Sequence, residues 1–427
     1  MSFNKICIIG LGYIGLPTAA MFASKGKSVI GVDINRSTVD TINAGKIHIV
    51  EPGLNVIVSD AIDKGFLKAV TSPEPADAFV IAVPTPFLPI GEEGETPQPD
   101  LSYIESAAKE IATVLKKGDL VILESTSPVG ATEEMSNWLA AERPDLSFPH
   151  ECGAVSDIRI AYCPERVLPG HVIRELVQND RIIGGMTESC SKLAIELYEI
   201  FVKGDCVVTN ARTAEMAKLT ENASRDVGIA FANELSIICD KLEIDVWELI
   251  ALANRHPRVS ILQPGAGVGG HCIAVDPWFI VSSAPRESKL IYTARQVNDF
   301  KPQWVINKIK SAVIEFLSMN TRKKISDITV SCFGLAFKPD IDDLRESPAL
   351  NIAKELIRLN FGRVLAVEPN ISRLPSSIEK DIELVSVDMA IDCSDICVLL
   401  VDHSEFKLIE RVRLDHAIII DTKGIWR

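Results

Sequence analysis

The sequence has no apolar run long enough to span a bilayer, and glycines interrupt the apolar stretch near its start. It therefore predicts neither a membrane-spanning helix nor a signal peptide. Positive charge is also scarce, with 44 Lys and Arg against 58 Asp and Glu, which gives a formal net charge of −14. This balance disfavours a nucleic-acid or membrane partner, although a few local cations still suffice to hold a phosphate-bearing substrate.

The ten cysteines lack the spacing of a disulfide framework, and no export signal precedes them. We therefore predict reduced thiols and a cytoplasmic location. The closest pair, Cys393 and Cys397, has no second Cys/His pair to complete a zinc site, so the sequence predicts no bound metal. Both residues are interpreted as buried apolar side chains.

The start of the chain carries a glycine pattern between a strand and a helix. Residues 5–15 read KICIIGLGYIG, in which an apolar run leads into Gly10, Gly12 and Gly15 of a G-x-G-x-x-G pattern. Gly10 permits the tight turn, Gly12 lets a pyrophosphate approach the backbone, and Gly15 allows close packing of the helix. A second strand at 28–32 ends in Asp33, placed to bind ribose hydroxyls, which predicts NAD as cofactor and not NADP.

The rest of the chain alternates strand-like and helix-like runs. Strands are predicted at 79–83, 120–124, 159–162, 181–184, 329–335, 364–367, 396–401 and 417–420, with a long helix at 213–242. We therefore predict the α/β class, with two doubly wound Rossmann-like domains joined by a central long helix. The predicted divisions are 1–208, 209–315 and 316–427.

A second glycine-rich segment surrounds a single thiol. Residues 265–276 read GAGVGGHCIAVD, with Cys272 beside a histidine and four residues before Asp276. Glycines let backbone approach a ligand, and a thiol among polar groups and N–H donors can become a nucleophilic thiolate. The alternative is an ordinary buried cysteine.

Polar groups also recur on the predicted long helix. Lys218, Asn222 and Arg225 stand at i, i+4 and i+7 and so share one face, which is either solvated or lines a cleft. Two further segments, ILESTSPVG at 122–130 and AYCPERVLPG at 161–170, place candidate groups just after predicted strands.

Together with AEMAKLTEN at 214–222 and FGLAFKPDIDDLRESPA at 333–349, these segments resemble the UDP-glucose/UDP-mannose dehydrogenase family over essentially the whole chain. The resemblance implies an enzyme that oxidises the C6 alcohol of a UDP-sugar twice, with NAD, to a uronic acid. It implies that Cys272 captures the intermediate aldehyde as a thiohemiacetal, which becomes a thioester and then the acid.

The same resemblance implies roles for the surrounding side chains. Lys218 would act as general acid/base or stabilise the developing oxyanion, and Asn222 would donate to the same oxygen. Asp276 and Thr126 would hold and activate water, while Glu165 would assist proton transfer. The implied cofactor contacts are Gly10, Gly12, Tyr13, Ile14, Gly15, Asp33, Thr85, Thr126 and Lys423. The implied substrate contacts are Arg166, Val167, Lys218, Asn222, Arg225, His256, Arg258, Gly269, Phe337, Lys338 and Arg345, of which the last three would hold the uridine diphosphate.

The sequence departs from the glucose-oxidising members at three positions. Those members typically carry an aromatic residue where Arg166 stands, a glutamate at Pro169 and a serine at His271. The departures favour a 2-acetamido sugar, and overall resemblance favours the manno over the gluco epimer and a surface polysaccharide of the enterobacterial common antigen type.

Two alternatives stay open at this point. One is an enzyme of the same mechanism that acts on the gluco epimer. The other is a non-catalytic NAD-sensing module, which the joint presence of Cys272, Lys218 and Asn222 disfavours. We also expect a homodimer that buries the apolar face of the 213–242 helix.

Overall fold

The computed structural model describes residues 3–89, 96–168, 170–270 and 272–427. The chain forms two compact units. The first unit runs to Glu221 and includes Ser282–Ala284, and the second unit consists of Asn222–Val281 and Pro285–Arg427.

The first unit is built on an eight-stranded sheet. Its strands are β1 (Lys5–Ile9), β2 (Ser28–Val32), β3 (Leu67–Val70), β4 (Ala78–Ile81), β5 (Leu120–Leu123), β6 (Arg159–Tyr162), β7 (Arg181–Gly185) and β8 (Cys206–Asn210). They pair in the order β3-β2-β1-β4-β5-β6-β7-β8. Every pairing is parallel except that of β6 with β7.

Helices cover both faces of this sheet. They are α1 (Gly15–Ser24), α2 (Arg36–Asn43), α3 (Leu54–Asp63), α4 (Ser102–Ala112), α5 (Ala131–Glu142), α6 (Pro149–Cys152), α7 (Val172–Gln178) and α8 (Glu188–Tyr198). Alternate residues of β1 enter two different apolar cores, Ile6 and Ile8 on one face and Cys7 and Ile9 on the other. This alternation follows from the strand period of two, and the wholly buried β4 and β5 are typical of a covered parallel sheet.

The second unit combines helices with a five-stranded sheet. The helix α9 (Ala211–Lys241) begins in the first unit and ends in the second. It is followed by α10 (Val246–Ala253), α11 (Asp276–Ser283), α12 (Lys289–Met319), α13 (Pro348–Ile357) and α14 (Val387–Cys393). The strands β9 (Thr329–Phe333), β10 (Arg363–Val367), β11 (Glu383–Leu384), β12 (Ile396–Leu399) and β13 (Ile418–Asp421) pair in the all-parallel order β11-β10-β9-β12-β13.

The predicted α/β class with parallel sheets is confirmed, and the long helix predicted at 213–242 is α9. The sequence prediction missed α12, which is as long as α9, at 31 residues each. It contains Pro302, a residue that normally ends a helix. One burial prediction was wrong: Cys397 is buried, but Cys393 is exposed because it closes the short helix α14.

The Gly-, Pro- and Glu-rich stretch at 88–99 lies outside the described residues at 90–95, and at its ends Leu88 N donates to Gln98 O at 2.8 Å. Among the helices of the described ranges, none combines the length and apolarity needed to cross a membrane.

Candidate active site

The turn after β1 has the geometry that its three glycines predict. Gly10 adopts φ +90°, and a Cβ there would lie 2.6 Å from Ala82 O. A Cβ on Gly15 would collide with Gly10 O, so α1 packs directly on the turn. Around Gly12, by contrast, a Cβ would meet nothing within 4 Å. The glycines at 10 and 15 are thus required by packing, while Gly12 leaves open space at the N-terminus of α1, where a phosphate binds well.

Asp33 lies at the rim of the same turn. Its Oδ2 accepts a hydrogen bond from Leu11 N at 3.1 Å, and its Oδ1 accepts one from Asn35 N at 2.8 Å. The side chain remains half-exposed. An acid fixed to the glycine turn but open to solvent has the position needed to bind ribose hydroxyls.

Two threonines meet at the ends of neighbouring strands. Thr85 follows β4, Thr126 follows β5, and Thr85 Oγ1 donates to Thr126 O at 2.6 Å. Both residues are half-buried. The structure therefore brings these two candidates together at the carboxyl edge of the sheet, where open α/β folds bind ligands. Tyr13 and Ile14 lie within the glycine turn, Tyr13 exposed and Ile14 half-buried.

Glu165, which follows β6, is paired with a cation that the sequence analysis did not identify. One guanidinium nitrogen of Arg181 binds Glu165 Oε2, and the other lies 3.0 Å from Glu124 Oε1. Tyr198 OH also donates to Glu124, at 3.0 Å. Arg181 is only 4% exposed and its guanidinium carbon sits 4.2 Å from the centre of the Tyr198 ring.

This buried arrangement changes the pKa of Glu124. Burial raises the pKa of Glu124 to about 7, against the opposing effect of Arg181 and with the help of the nearby Glu165 charge. Glu124 was visible in the ILESTSPVG segment, but its partner opens β7, 57 residues later. Local sequence therefore carried no signal for this pairing, whose effect is to fix the Glu165 carboxylate at the end of β6.

The neighbouring candidates Arg166 and Val167 contact different parts of the first unit. Arg166 Nη1 lies 3.0 Å from Glu221 Oε1 of α9, so an ion pair ties the end of β6 to that helix. Val167 is half-buried and packs against the apolar core of the first unit. Pro169, one of the three departures from the glucose-oxidising members, lies outside the described residues.

The α9 candidates are one turn apart and differ in exposure. Lys218 belongs to the first unit and is half-buried. Asn222 and Arg225 belong to the second unit, where Asn222 is buried and Arg225 is exposed. In the second unit Asn222 Nδ2 donates to Asp276 Oδ2 at 2.6 Å. Asp276 is 2% exposed and begins α11. The sequence placed both residues in the site, and the structure joins them.

Cys272 lies one turn ahead of that acid. Asp276 N donates to Cys272 O at 2.9 Å, and Val275 N donates to the same oxygen at 3.1 Å. The cysteine itself is exposed, which contradicts the alternative of a buried apolar thiol. His271, whose identity bore on the sugar preference, lies outside the described residues.

The glycines before Cys272 are required by close packing. Gly267 adopts φ +145°, and a Cβ there would lie 2.9 Å from the Pro348 side chain. Gly270 adopts φ +82°, and a Cβ there would lie 2.9 Å from the Phe337 ring. Gly269 also packs on Phe337, with 3.0 Å between a Cβ and the Phe337 Cβ. The thiol loop thus rests on the segment predicted to hold uridine diphosphate.

The remaining candidates of the second unit divide into contacts and exposed residues. Arg345 pairs with Asp343, at 2.6 Å from Nη2 to Oδ2, and Lys338 is exposed. Lys423 Nζ lies 3.2 Å from Asp402 Oδ1 and would lie 3.1 Å from a Cβ on Gly265, so it packs on the start of the thiol loop. His256 and Arg258 are both exposed after α10.

Three family models match the chain in succession. They are the NAD binding domain, the central domain and the UDP binding domain of the UDP-glucose/GDP-mannose dehydrogenase family, at 4–202, 212–300 and 331–427. The family expected from the sequence is confirmed. In its name, however, the nucleotide attached to mannose is GDP and not the UDP that we expected.

Similar proteins cover the whole chain. A UDP-N-acetyl-D-mannosamine dehydrogenase of Yersinia pestis is 61% identical over 427 residues, 100% of both chains. An NDP-N-acetyl-D-galactosaminuronic acid dehydrogenase of Ralstonia nicotianae is 60% identical over 426 residues, covering 100% of this chain and 97% of the relative. The solved UDP-D-ManNAc dehydrogenase of Pyrococcus horikoshii has a TM-score of 0.84 and 38% identity, over 99% of this chain and 96% of that one.

Proposed function

Since the chain belongs to the UDP-glucose/GDP-mannose dehydrogenase family, we propose that it oxidises UDP-N-acetyl-D-mannosamine at C6 to UDP-N-acetyl-D-mannosaminuronate. The chain is an NAD-dependent UDP-sugar dehydrogenase. The 61% identical Yersinia pestis relative, which carries the name of the mannosamine enzyme over its full length, supports this choice of sugar.

The residues of the first unit fit NAD. The open space at Gly12 admits a pyrophosphate to the N-terminal amides of α1, and Asp33 stands ready for the ribose hydroxyls. Thr85 and Thr126 would lie along the same edge of the sheet. When bound, NAD supplies the acceptor for the hydrides removed from C6.

We assign the central chemistry to Cys272. After the C6 alcohol has become an aldehyde, the Cys272 thiolate would add to the carbonyl carbon and leave a thiohemiacetal that still carries one hydrogen on that carbon. Loss of this hydrogen as a second hydride leaves a thioester. Water then attacks the thioester carbon, the C–S bond breaks, and the products are the carboxylate and the free thiol.

One observation carries this assignment: the buried pair of Asn222 and Asp276 lies one helical turn from an exposed thiol. An amide fixed by a carboxylate can donate its remaining N–H to a developing oxyanion, and a buried carboxylate can orient and deprotonate water. Lys218 would stabilise the same oxyanion or transfer its proton. Glu165, held by Arg181, would assist proton transfer.

Substrate contacts are proposed at both ends of the sugar nucleotide. Phe337, Lys338 and Arg345 would hold the uridine diphosphate, since guanidinium and ammonium groups match phosphate oxygens. The other proposed contacts are Arg166, Val167, Arg225, His256, Arg258 and Gly269, and Lys423 is proposed to reach the cofactor. The matched range 331–427 of the UDP binding domain supports the first group.

The test is a substrate panel. The protein is incubated with NAD⁺ and each UDP-2-acetamido sugar, NADH is followed by absorbance, and the product is identified by mass spectrometry. We expect two NADH per molecule of the manno sugar, and preferential turnover of the gluco epimer would overturn the substrate assignment. Preference for the galacto sugar is the second candidate outcome, which the 60% identical Ralstonia nicotianae relative favours.

The thiol has its own test. Cys272→Ala should abolish formation of the uronate, because no thioester can form, while NAD binding persists. Cys393→Ala removes another exposed thiol of the second unit and should leave the reaction unchanged. Full double oxidation by Cys272→Ala would sink the thioester mechanism.

We propose a homodimer, because Phe231 and Ile238 lie two turns apart on α9 and are 51% and 45% exposed. Light scattering coupled to size exclusion tests the homodimer, and a monomer would contradict it.

We also propose the division 1–208, 209–315 and 316–427, a cytoplasmic location, and a product used for surface polysaccharide of the enterobacterial common antigen type. Loss of the aminouronic acid from that polysaccharide in a deletion strain tests the last point.

A further inference from the structure

The two units contain the same turn after their first strand. Gly10 follows β1 with φ +90°, and Gly334 follows β9 with φ +90°. In the first unit the acid after β2, Asp33, accepts from Leu11 N at 3.1 Å. In the second unit the acid after β10, Glu368, accepts from Leu335 N at 2.7 Å. Each turn is thus held by a carboxylate that follows the neighbouring strand.

The two acids differ in solvent exposure and in the number of hydrogen bonds that they accept. Asp33 is half-exposed, whereas the Glu368 side chain is fully buried. Glu368 Oε2 also accepts from Ala336 N at 3.0 Å and contacts His403 Nε2 at 3.0 Å. Burial alone would raise the pKa of Glu368, but the hydrogen bonds from His403 and the turn amides hold it below its ordinary value. This carboxylate is therefore not accessible to a ribose hydroxyl.

The partners of His403 fix its tautomer. Nδ1 lies 2.9 Å from the backbone N of Asp340 and 3.1 Å from Asn370 Nδ2, and both of these groups can only donate. Nδ1 is therefore the acceptor, and the ring proton is on Nε2, from which it is donated to Glu368. The ring is 1% exposed and packs edge-on against Phe406, with 5.3 Å between the ring centres.

The contacts of His403 bracket a short segment. Through Glu368 it fixes the amides of residues 335 and 336, and directly it fixes the amide of Asp340. Asp340 has φ +60°, unusual for a residue with a side chain, and its carboxylate accepts from Ser404 N at 2.8 Å and Ser404 Oγ at 2.6 Å. Between these fixed points lie Phe337 and Lys338.

We propose that His403, acting through Glu368 and Asp340, is a positioning residue for the uridine diphosphate site of the second unit. The proposal rests on the function proposed above, in which Phe337 and Lys338 hold that nucleotide. The proposal explains why a turn of the dinucleotide-binding type serves a mononucleotide here. Its acid, Glu368, accepts hydrogen bonds from the turn amides and is not available to bind a ribose.

The position of Phe337 also matters for the thiol loop. Its ring packs against Gly270, two residues before Cys272, so closely that a Cβ on Gly270 would lie 2.9 Å from the ring. A segment that shifts by a fraction of an ångström therefore alters both the nucleotide site and the support of the thiol loop. Loss of His403 should accordingly raise KM for the UDP-sugar and also lower kcat.

The experiment measures UDP binding to the full-length protein by calorimetry. His403→Phe keeps an aromatic ring at this position but removes the hydrogen bonds of both ring nitrogens, and we expect the Kd for UDP to rise roughly tenfold or more. Binding of NAD⁺, held by the first unit, should change less than about twofold. His403→Gln keeps one acceptor and one donor and should recover part of the affinity.

Controls separate the outcomes. His416→Phe removes another histidine of the second unit, whose Nε2 contacts Ile391 O at 2.9 Å, and should leave UDP affinity unchanged. If His403→Phe lowers the melting temperature but binds UDP as well as the wild type, the role is structural only and the proposal is overturned. If His403→Phe does not fold, the Kd for UDP is measured in His403→Leu, which also lacks the hydrogen bonds, and wild-type affinity in that variant overturns the proposal equally. Failure of the wild type to bind UDP would instead refute the proposed function.

Discussion

The amide of Asn222 and the carboxylate of Asp276 form a 2.6 Å hydrogen bond in which both side chains are buried. The bond joins α9 to the first residue of α11, so the acid is oriented before any substrate binds. A buried carboxylate that is held in place can orient a water molecule and accept a proton from it. The thioester step of the proposed reaction requires such a water.

Asp276→Asn should therefore slow hydrolysis of the thioester by roughly 10²–10⁴-fold, the usual size of a general-base contribution. The first hydride transfer should be affected less, so a covalent adduct on Cys272 should accumulate and be visible by intact-protein mass spectrometry. Asp392→Asn changes an exposed acid of the second unit and serves as control. Wild-type turnover by Asp276→Asn would remove this residue from the chemistry.

The two glycines at 12 and 15 should respond differently to alanine. Gly12→Ala meets open space, so stability should change by less than about 1 kcal/mol while affinity for NAD⁺ falls roughly tenfold or more. Gly15→Ala collides with the Gly10 carbonyl and should lose both stability and NAD⁺ binding. Thermal unfolding and calorimetric titration with NAD⁺ distinguish the two, and unimpaired NAD⁺ binding by Gly12→Ala would show that the ligand does not approach there.

Arg181 should be among the most sensitive positions of the first unit. Arg181→Met leaves Glu124 and Glu165 buried without their cation, which should lower the free energy of unfolding by about 3–5 kcal/mol. Adding Glu124→Gln removes one of the two carboxyl groups left without that cation and should restore part of the loss. Urea unfolding of both variants measures this, and equal stability of the single and double variants would mean that the acids do not depend on the shared cation.

Lys301 of α12 gives a pH-dependent prediction. Its ammonium is buried, contacts Ser236 Oγ and lies 3.8 Å from the centre of the Trp304 ring. Burial lowers the pKa of Lys301 from 10.5 to about 7. Between these two pH values the unfolded chain binds more protons than the folded one, so this group makes stability rise with pH across that window and penalises the fold below it.

Lys301→Met should consequently raise the free energy of unfolding at pH 7 by up to a few kcal/mol and flatten its rise toward pH 10. Lys308→Met is the matched control, because the Lys308 ammonium is partly exposed and pairs with Asp240 at 2.7 Å. Urea titrations at several pH values provide the measurement. An unchanged pH profile in Lys301→Met would show that the buried amine does not titrate in this range.

Much of the fold could be predicted because the signals are local. The glycine turn at 10–15, the buried strands and α9 each carry their own pattern within a few residues, and the structure has them within two residues of the predicted bounds at 28–32, 159–162 and 213–242. The exception α12 has Pro302 inside it, and its polar residues Arg295, Asn298 and Lys301 are buried, so neither the breaker rule nor the polarity pattern predicted a buried helix.

The site divides in the same way. Asn222, Asp276 and Cys272 came from short motifs, whereas Arg181 and His403 depend on partners on other strands, 57 and 35 residues away. The acid of the second turn was also hidden by spacing: Asp33 comes 23 residues after Gly10, but Glu368 comes 34 after Gly334. Pairings of this kind are set by the order of strands in the sheet, which no local pattern encodes.

The burial of Glu368 has a consequence for redesign of the enzyme. An engineer who wants this unit to accept a different nucleotide would naturally begin with the solvent-facing cations. The hydrogen bonds of His403, Glu368 and Asn370, however, set the position of Lys338. Libraries that vary only the exposed cations therefore change the charge of the site but not the backbone conformation that supports it. Covarying positions 368, 370 and 403 gives access to turn conformations that surface substitutions leave untouched.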